Sequence, residues 1–244
     1  YLRGIDFLQM PTTLLSQVDS SIGGKTGVDY LQYKNMVGAF YMPRMVYINI
    51  HSLLSLPNLQ FASGMGEIIK HGLIRDASYY QWLKDHQAAI QAHDEDVLEE
   101  MVYGSCLIKK NVVETDPKEQ GIRAYLNFGH TIGHAIEKMS DFSLYHGQCV
   151  AIGMHSGAYL SFKRGHITKD QYEDILAMIQ GFDLPVSVSD YDAGEILANT
   201  KSDKKMVGDK IKFIVLEKIG QAAIDMTFSD QELLEGIQVL LTDE

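Results

Sequence analysis

Asn127-Phe128-Gly129-His130-Thr131-Ile132-Gly133-His134-Ala135-Ile136-Glu137 sets two histidines four apart, each preceded by a glycine and followed by helix-forming residues. Four residues on an α-helix make just over one turn, so both imidazoles leave the same face. Such a pair can grip one metal ion. Alternatively one ring can bind metal while the other handles protons. A partly exposed helix that merely carries two histidines has the same spacing.

The surrounding pattern is helical from Leu59 onward. Residues 61–74 read as a helix despite their glycines. Residues 94–115 form the clearest one: Val97, Leu98, Met101, Val102, Ser105, Leu107, Ile108, Val112 and Val113 recur at threes and fours, apolar apart from Ser105, and Asp94-Glu95-Asp96 suits the start of the dipole. Helices are expected over 129–139 and 146–164, with Gly165 as a stop. Thr168-x-x-Gln171 and Ser229-x-x-Glu232 are capping boxes that open two more. Residues 211–216 and 222–224, around Lys218-Ile219-Gly220, read as a small hairpin.

Residues 1–57 read differently, as α/β material. Residues 6–10 and 45–50 are expected strands, and the boundary falls near Pro57. Between them, Asp19-Ser20-Ser21-Ile22-Gly23-Gly24-Lys25-Thr26-Gly27 is glycine-rich. It can bring bare backbone and a lysine to an anion, but it lacks Walker spacing, and a flexible surface turn is the preferred reading.

The chain has 244 residues, 45% hydrophobic and 22% charged, with a net charge of -11. This composition is that of a globular protein and argues against a general nucleic-acid or anionic-membrane surface. Only Cys106 and Cys149 occur, which fits a reduced, cytoplasmic protein. No apolar run reaches the ~18 residues of a membrane span.

Three further features bear on chemistry. His146 stands between Tyr145 and Gly147 at the start of an apolar helix. Glu67, flanked by small and apolar residues, is expected to be poorly solvated and to need a cation or donor. Two imidazoles and one carboxylate with open positions make up a common catalytic zinc-type site. Lys109, Lys110, Arg123, Lys201, Lys204 and Lys205 could jointly neutralise a phosphate and a carboxylate, although each alone reads as a solvated surface charge.

Taken together, the chain resembles the 3-dehydroquinate synthase family of sugar-phosphate cyclases nearly end to end. The resemblance is carried by Pro11-Thr12-Thr13-Leu14-Leu15, the 19–28 stretch, Lys34-Asn35, Gly66-Glu67-Ile68-Ile69-Lys70, residues 123–137 and His146-Gly147. It implies two domains: a Rossmann-like α/β domain that binds NAD, of which 1–57 would be the C-terminal part, and a mainly helical metal- and substrate-binding domain over 58–244. Implied metal ligands are Glu67, His130 and His146, for zinc or cobalt. His134 is left to hydrogen bonding and proton transfer, with Lys70, Arg123 and Asn127 beside it in catalysis.

Implied substrate-binding positions are Asp19, Lys25, Asn35, Lys70, Lys109, Arg123, Asn127 and one of Lys204 and Lys205. Thr12, Thr13, Lys25, Lys34 and the Ser52, Leu53, Leu54, Ser55 stretch match NAD contacts. The implied substrate is a small sugar acid phosphate, and the implied assembly is a homodimer. The family's glycine-rich dinucleotide loop has no counterpart here, so a portion of about 100 residues is expected to be missing, and this chain alone is expected to bind NAD poorly. The competing readings are a related cyclase of the 2-deoxy-scyllo-inosose type, a metal-dependent phosphohydrolase, and a metal-binding fragment without turnover.

Overall fold

A computed structural model describes residues 4–30, 33–141, 143–202, 206–207 and 210–242, with backbone alone at 29–30, 33–36, 206–207 and 210. In chain order the strands are β1 (Leu8–Gln9), β2 (Lys25–Tyr30), β3 (Tyr33–Phe40), β4 (Met45–Val46), β5 (Met206–Val207), β6 (Lys210–Ile211), β7 (Phe213–Lys218) and β8 (Gln221–Asp225). The helices are α1 (Asn58–Arg75), α2 (Ala77–Asp85), α3 (Gln87–Gln91), α4 (Glu95–Thr115), α5 (His130–Met139), α6 (His146–Lys163), α7 (Lys169–Gln180), α8 (Ala193–Ser202) and α9 (Asp230–Gln238). The described residues are thus mainly helical, with four two-stranded pairings: β1 with β4 parallel, and the hairpins β2–β3, β5–β6 and β7–β8.

Helix α6 organises the molecule because it is buried all round. Val150, Ala151, Met154 and Ala158 face one core, with α1, α2, α4 and α7. Cys149, Ile152 and Leu160 face a second core, with α5, α8 and α9. A helix apolar on every side has nowhere to go but the interior. Strand β7 divides its side chains in the same way: Ile214 and Leu216 enter the first core, Phe213 and Val215 the second. The period-two alternation of a strand allows this. Leu14, Val18 and Leu53 from the N-terminal part pack into the first core beside α1.

Backbone contact, not side-chain packing, sets how closely α1, α5 and α6 approach. A Cβ at Gly147 would lie 1.8 Å from the Ser63 carbonyl oxygen, and one at Gly153 1.8 Å from the Gly129 carbonyl oxygen. Gly66 faces the Gly147 carbonyl and Gly133 the Cys149 carbonyl, both at 2.6 Å from the would-be Cβ.

Both capping boxes form, and Gly165 ends α6 at φ 75°. Asp94 caps α4 by accepting from the Val97 N–H at 3.2 Å. Three expectations need correction. The strand expected over 45–50 stops at Val46, because Asn49 caps a tight helical turn, Ile50–Ser55, that buries Leu53. The strand over 6–10 pairs only at Leu8–Gln9. The flexible surface turn expected over 19–27 is instead the end of a helical turn, Ser16–Ser20, the buried pair Gly23-Gly24, and the first residues of β2. Burial of the glycine pair beneath Arg123 and Met42 accounts for the order. Helices α2, α3 and α8 had no reading in the sequence.

The close contacts make an asymmetric expectation for glycine substitutions. Gly147→Ala and Gly153→Ala should each lower the unfolding free energy by about 1–3 kcal/mol or more, since rigid backbone must move. Gly194→Ala on α8, whose Cβ meets only the Asp192 side chain, should be neutral or stabilising by up to ~1 kcal/mol. Urea unfolding of the three variants checks this.

His71 on α1 is fully buried, its Nδ1 2.8 Å from Ser105 Oγ and its Nε2 without a hydrogen-bond partner. Burial, and then the Lys70 ammonium, push the imidazole from 6.5 down to about 3. Its folded value lies below its unfolded one, so the unfolded chain takes up the proton first. The stabilisation is complete above about 6.5 and is lost as pH falls toward 3. One proton is worth about 1.4 kcal/mol per pH unit. His71→Gln should flatten the acid limb of stability against pH by up to that slope, read by urea unfolding across the same window.

Candidate functional site

The glycine-mediated contacts deliver three side chains to one point. Glu67 projects from the middle of α1 and is fully buried. His130 is the first residue of α5, turned into the helix by Gly129 at φ 80°. His146 is the first residue of α6, where Gln148 Oε1 accepts from the Tyr145 N–H at 2.9 Å. Glu67 Oε1 lies 3.5 Å from His130 Nε2 and 3.6 Å from His146 Nε2. One ligand atom from each of the three residues fits within 4.8 Å.

These separations are longer than hydrogen bonds, and Glu67 Oε1 is buried with no hydrogen-bond partner. Two donors about 2.1 Å from a tetrahedral ion stand about 3.4 Å apart. An orphaned carboxylate oxygen facing two ring nitrogens at that spacing fits a divalent cation. The other Glu67 oxygen receives the Lys70 ammonium, itself 1% exposed.

Burial pushes the Glu67 carboxyl up, but Lys70 and the facing imidazoles outweigh it and hold it well below its ordinary range. Burial and Lys70 together push His130 well down, which keeps its ring neutral and able to ligate. His146 behaves oppositely. Burial lowers it, but Glu137 and Glu67 raise it to about 9. The His134 ring stands 5.1 Å from that of His130 and 5.9 Å from that of His146, centroid to centroid.

A second layer lies against this cluster. Lys109 Nζ, from α4, pairs with the Asp19 carboxylate and donates to the Asp19 carbonyl at 2.6 Å. Burial raises the Asp19 carboxyl, yet Lys109 brings it below its usual value. Asp19, Glu67 and His71 also come within ligand distance of one another. Lys70 and Lys109 already neutralise the two carboxylates there, so a cation at that point would meet two ammonium groups.

Toward the surface, Glu119 links two expected substrate positions. It pairs with Lys25 and accepts from Asn127 Nδ2 at 3.1 Å. Arg123 is buried and donates to the Pro117 carbonyl at 2.8 Å and the Gly23 carbonyl at 3.1 Å, leaving its Nε without a partner.

The structure therefore gathers Asp19, Lys70, Lys109 and the three candidate ligands in one charged cluster, with Lys25, Arg123 and Asn127 tied together through Glu119 and Gly23. Lys34 and Asn35 fall at the start of β3, at positions where only backbone is described. Lys204 and Lys205 lie outside the described residues. Lys110 and Lys201 pair with Glu114 at 3.8 Å and Asp230 at 2.5 Å on the outside of the molecule.

Of the expected cofactor positions, those at 12–13 and 52–55 are joined through Gln17. Gln17 Nε2 donates to the Pro11 carbonyl, the Asn49 carbonyl and Ser52 Oγ at 3.4, 3.2 and 3.2 Å. That ties the turn carrying Thr12 and Thr13 to the one carrying Ser52, Leu54 and Ser55. Leu53 sends its side chain into the core and offers only backbone.

Sequence reasoning missed Glu119, Glu137 and His71. Glu137 was within reach, since it follows His134 by three on the same helical face. Glu119, in a loop at φ 57°, gave no periodic signal.

Residues 64–206 match the family 3-dehydroquinate synthase C-terminal, and residues 1–63 match 3-dehydroquinate synthase N-terminal. The chain is 46% identical over 225 residues to the 3-dehydroquinate synthase of Syntrophotalea carbinolica, covering 92% of this chain and 62% of that one. It is 42% identical over 244 residues to that of Ruminiclostridium cellulolyticum, covering 100% of this chain and 67% of that one. It thus spans under two thirds of the first relative's length.

Among solved structures, 2-epi-5-epi-valiolone synthase from Streptomyces hygroscopicus subsp. jinggangensis, with NAD+ and Zn2+ bound, aligns at TM-score 0.91 and 23% identity, covering 98% of this chain and 67% of that one. A 2-deoxy-scyllo-inosose synthase complexed with carbaglucose-6-phosphate, NAD+ and Co2+ aligns at TM-score 0.86 and 25% identity, covering 99% and 69%. With both family matches running through it and relatives above 40% identity, this chain belongs to the 3-dehydroquinate synthase family.

Proposed function

We propose that this chain is the metal- and substrate-binding part, with the adjoining strip of the cofactor domain, of an enzyme that converts 3-deoxy-D-arabino-heptulosonate 7-phosphate to 3-dehydroquinate and phosphate. Residues 1–57 belong to the NAD side and 58–244 to the metal side. The observation that carries the reading is the buried, unpartnered Glu67 Oε1 facing the Nε2 atoms of His130 and His146.

Glu67, His130 and His146 hold one zinc or cobalt ion, and Thr12, Thr13, Lys25, Lys34 and the 52–55 turn border NAD. When bound, the ion supplies Lewis acidity at the substrate's oxygens and NAD supplies a reversible hydride acceptor. The remaining work belongs to the chain's own groups. His134 stands beside the two ligand rings and moves a proton at its imidazole. Lys70, Lys109, Lys25 and one of Lys204 and Lys205 match the two anionic ends of the substrate by charge, and Arg123 offers a forked donor to one of them.

Asp19, Asn35 and Asn127 orient hydroxyls. Lys25 and Arg123 are now engaged by Glu119 and by carbonyl oxygens, partners that a phosphate or carboxylate replaces on binding. A sugar that must pass through oxidation, elimination, reduction and ring closure has to stay oriented throughout, which enclosure between two domains provides. The reading includes a cytoplasmic homodimer. Among the described residues, no helix is long and apolar enough to cross a membrane.

Metal stoichiometry tests the site directly. After chelation and reloading, the chain should retain one Zn2+ or Co2+. Glu67→Gln, His130→Ala and His146→Ala should each weaken the ion by more than about tenfold, ~1.4 kcal/mol, while His134→Ala keeps it.

Turnover tests the reaction. Joined to the upstream portion of the Syntrophotalea carbinolica relative, the chain should release phosphate from the heptulosonate phosphate only with both NAD and metal present. His134→Ala should lower kcat by about 10²–10⁴-fold. Phosphate release without NAD would instead make the site a phosphohydrolase.

A further inference from the structure

We propose that Glu137 is the positioning residue of the metal site: its carboxylate orients the His146 ring so that Nε2, and not Nδ1, is presented to the cation. The inference rests on the metal-binding reading of Glu67, His130 and His146. The His146 ring lies between two carboxylates, with Nε2 3.6 Å from Glu67 Oε1 and Nδ1 3.6 Å from Glu137 Oε1. A neutral imidazole offers a metal one lone pair, and its proton sits on the other nitrogen. At 3.6 Å the Glu137 carboxylate faces Nδ1 at ion-pair distance, longer than a hydrogen bond, and its negative charge there favours the ring proton on Nδ1 and leaves Nε2 bare on the side of Glu67.

The other ligand histidine is handled in the same way with a different acceptor. His130 Nδ1 lies 3.2 Å from the Phe128 carbonyl oxygen, while its Nε2 faces Glu67. Both rings thus have the nitrogen remote from Glu67 facing an oxygen of this chain, within hydrogen-bond distance in His130 and at ion-pair distance in His146. His130 takes it from backbone because Gly129 turns the chain just ahead of it. At the start of α6, His146 has to take it from another helix.

The place of Glu137 in the fold disfavours an acid. It sits in the last turn of α5, where a negative charge opposes the helix dipole, and it is only 6% exposed. Neither the helix dipole nor solvation recommends an acid there. Spacing does: on α5 the positions 130, 134 and 137 share a face, so one helix carries a ligand, the proton-handling imidazole and the support for the ligand that α6 brings.

His134, Glu137 and His146 also come within ligand distance as a trio of their own, which would spend His146 Nδ1 on a second ion. Co2+ titration of the chain separates the two arrangements. It is followed by visible absorption and chelator competition, with ¹⁵N–¹H correlation of the histidine rings to read the tautomer. The unsubstituted chain should take one Co2+ with His146 protonated at Nδ1. Glu137→Gln, of the same shape and with an acceptor oxygen, should weaken Co2+ about tenfold, and Glu137→Leu toward about a hundredfold. Both should alter the visible spectrum and mix the His146 tautomers.

Thermal melting of the metal-free variants identifies either one that fails to fold, and the isosteric Gln variant then decides. Unchanged affinity, spectrum and tautomer in a folded variant overturn the proposal. Two ions in the unsubstituted chain, with one lost in Glu137→Gln, overturn it as well by making Glu137 a ligand. An unsubstituted chain that takes up no Co2+ refutes the metal reading itself and this inference with it.

Discussion

Three helices in this protein meet backbone to backbone, and the site depends on that contact. At Gly147 and Gly153 the space a Cβ would need is already filled by a carbonyl oxygen of the neighbouring element. No other residue type allows the approach, because every other one carries that carbon. The consequence is chemical as much as mechanical. Glu67 sits in the interior of α1 while His130 and His146 stand at the first positions of α5 and α6. They face one another only because the helix axes are this close. Side chains as short as Glu and His cannot compensate for an ångström or two of added separation.

The electrostatics follow from the same packing. Burial without compensation would neutralise Glu67. Lys70, on the same helix one turn later, answers one oxygen and leaves the other exposed to the imidazoles alone. Asp19 and Lys109 repeat the arrangement one layer away, joining the N-terminal part to α4. The charge distribution is therefore built in matched pairs, with one carboxylate oxygen left over. That unpartnered oxygen distinguishes the Glu67, His130 and His146 group from the two neighbouring groups of acids and histidines.

The N-terminal strip is attached to the helical core and to the charged cluster. Leu14, Val18 and Leu53 enter the helical core. From that anchorage Asp19 reaches Lys109 and Gly23 reaches Arg123. Gln17 ties the 12–13 turn to the 52–55 turn on the same segment. A short helical turn, Ser16–Ser20, thus couples the 12–13 and 52–55 turns to the Lys109 and Arg123 side chains.

Much of this was legible in the residues. The 3.6-residue rhythm of 94–115, the capping boxes at Thr168 and Ser229 and the breaks at Gly165 and Gly220 are local, and they survived folding because tertiary packing agreed with them. The chemistry-bearing types were equally plain: i, i+4 histidines, a glutamate among small residues, and a His-Gly at the start of an apolar run. Spacing alone allowed His130 and His134 to share an ion. It was the resemblance to a family that reassigned His134 and brought in His146, sixteen positions on.

What remained for the tertiary structure was everything that depends on distance through space. The Gln17 link between the 12–13 and 52–55 turns, the burial of Gly23 and Gly24, the Lys25–Glu119–Asn127 linkage and the Glu137–His146 contact join residues with no periodic relation in sequence. The failed strand at 45–50 shows the same thing in reverse. Its β-branched pattern was sound, but Asn49 capped a turn and Leu53 found the core. A sequence specifies which groups are present and their local periodicity. Which of them face one another is fixed by helix approach, and here that approach is set by the absence of a carbon atom at a few glycines.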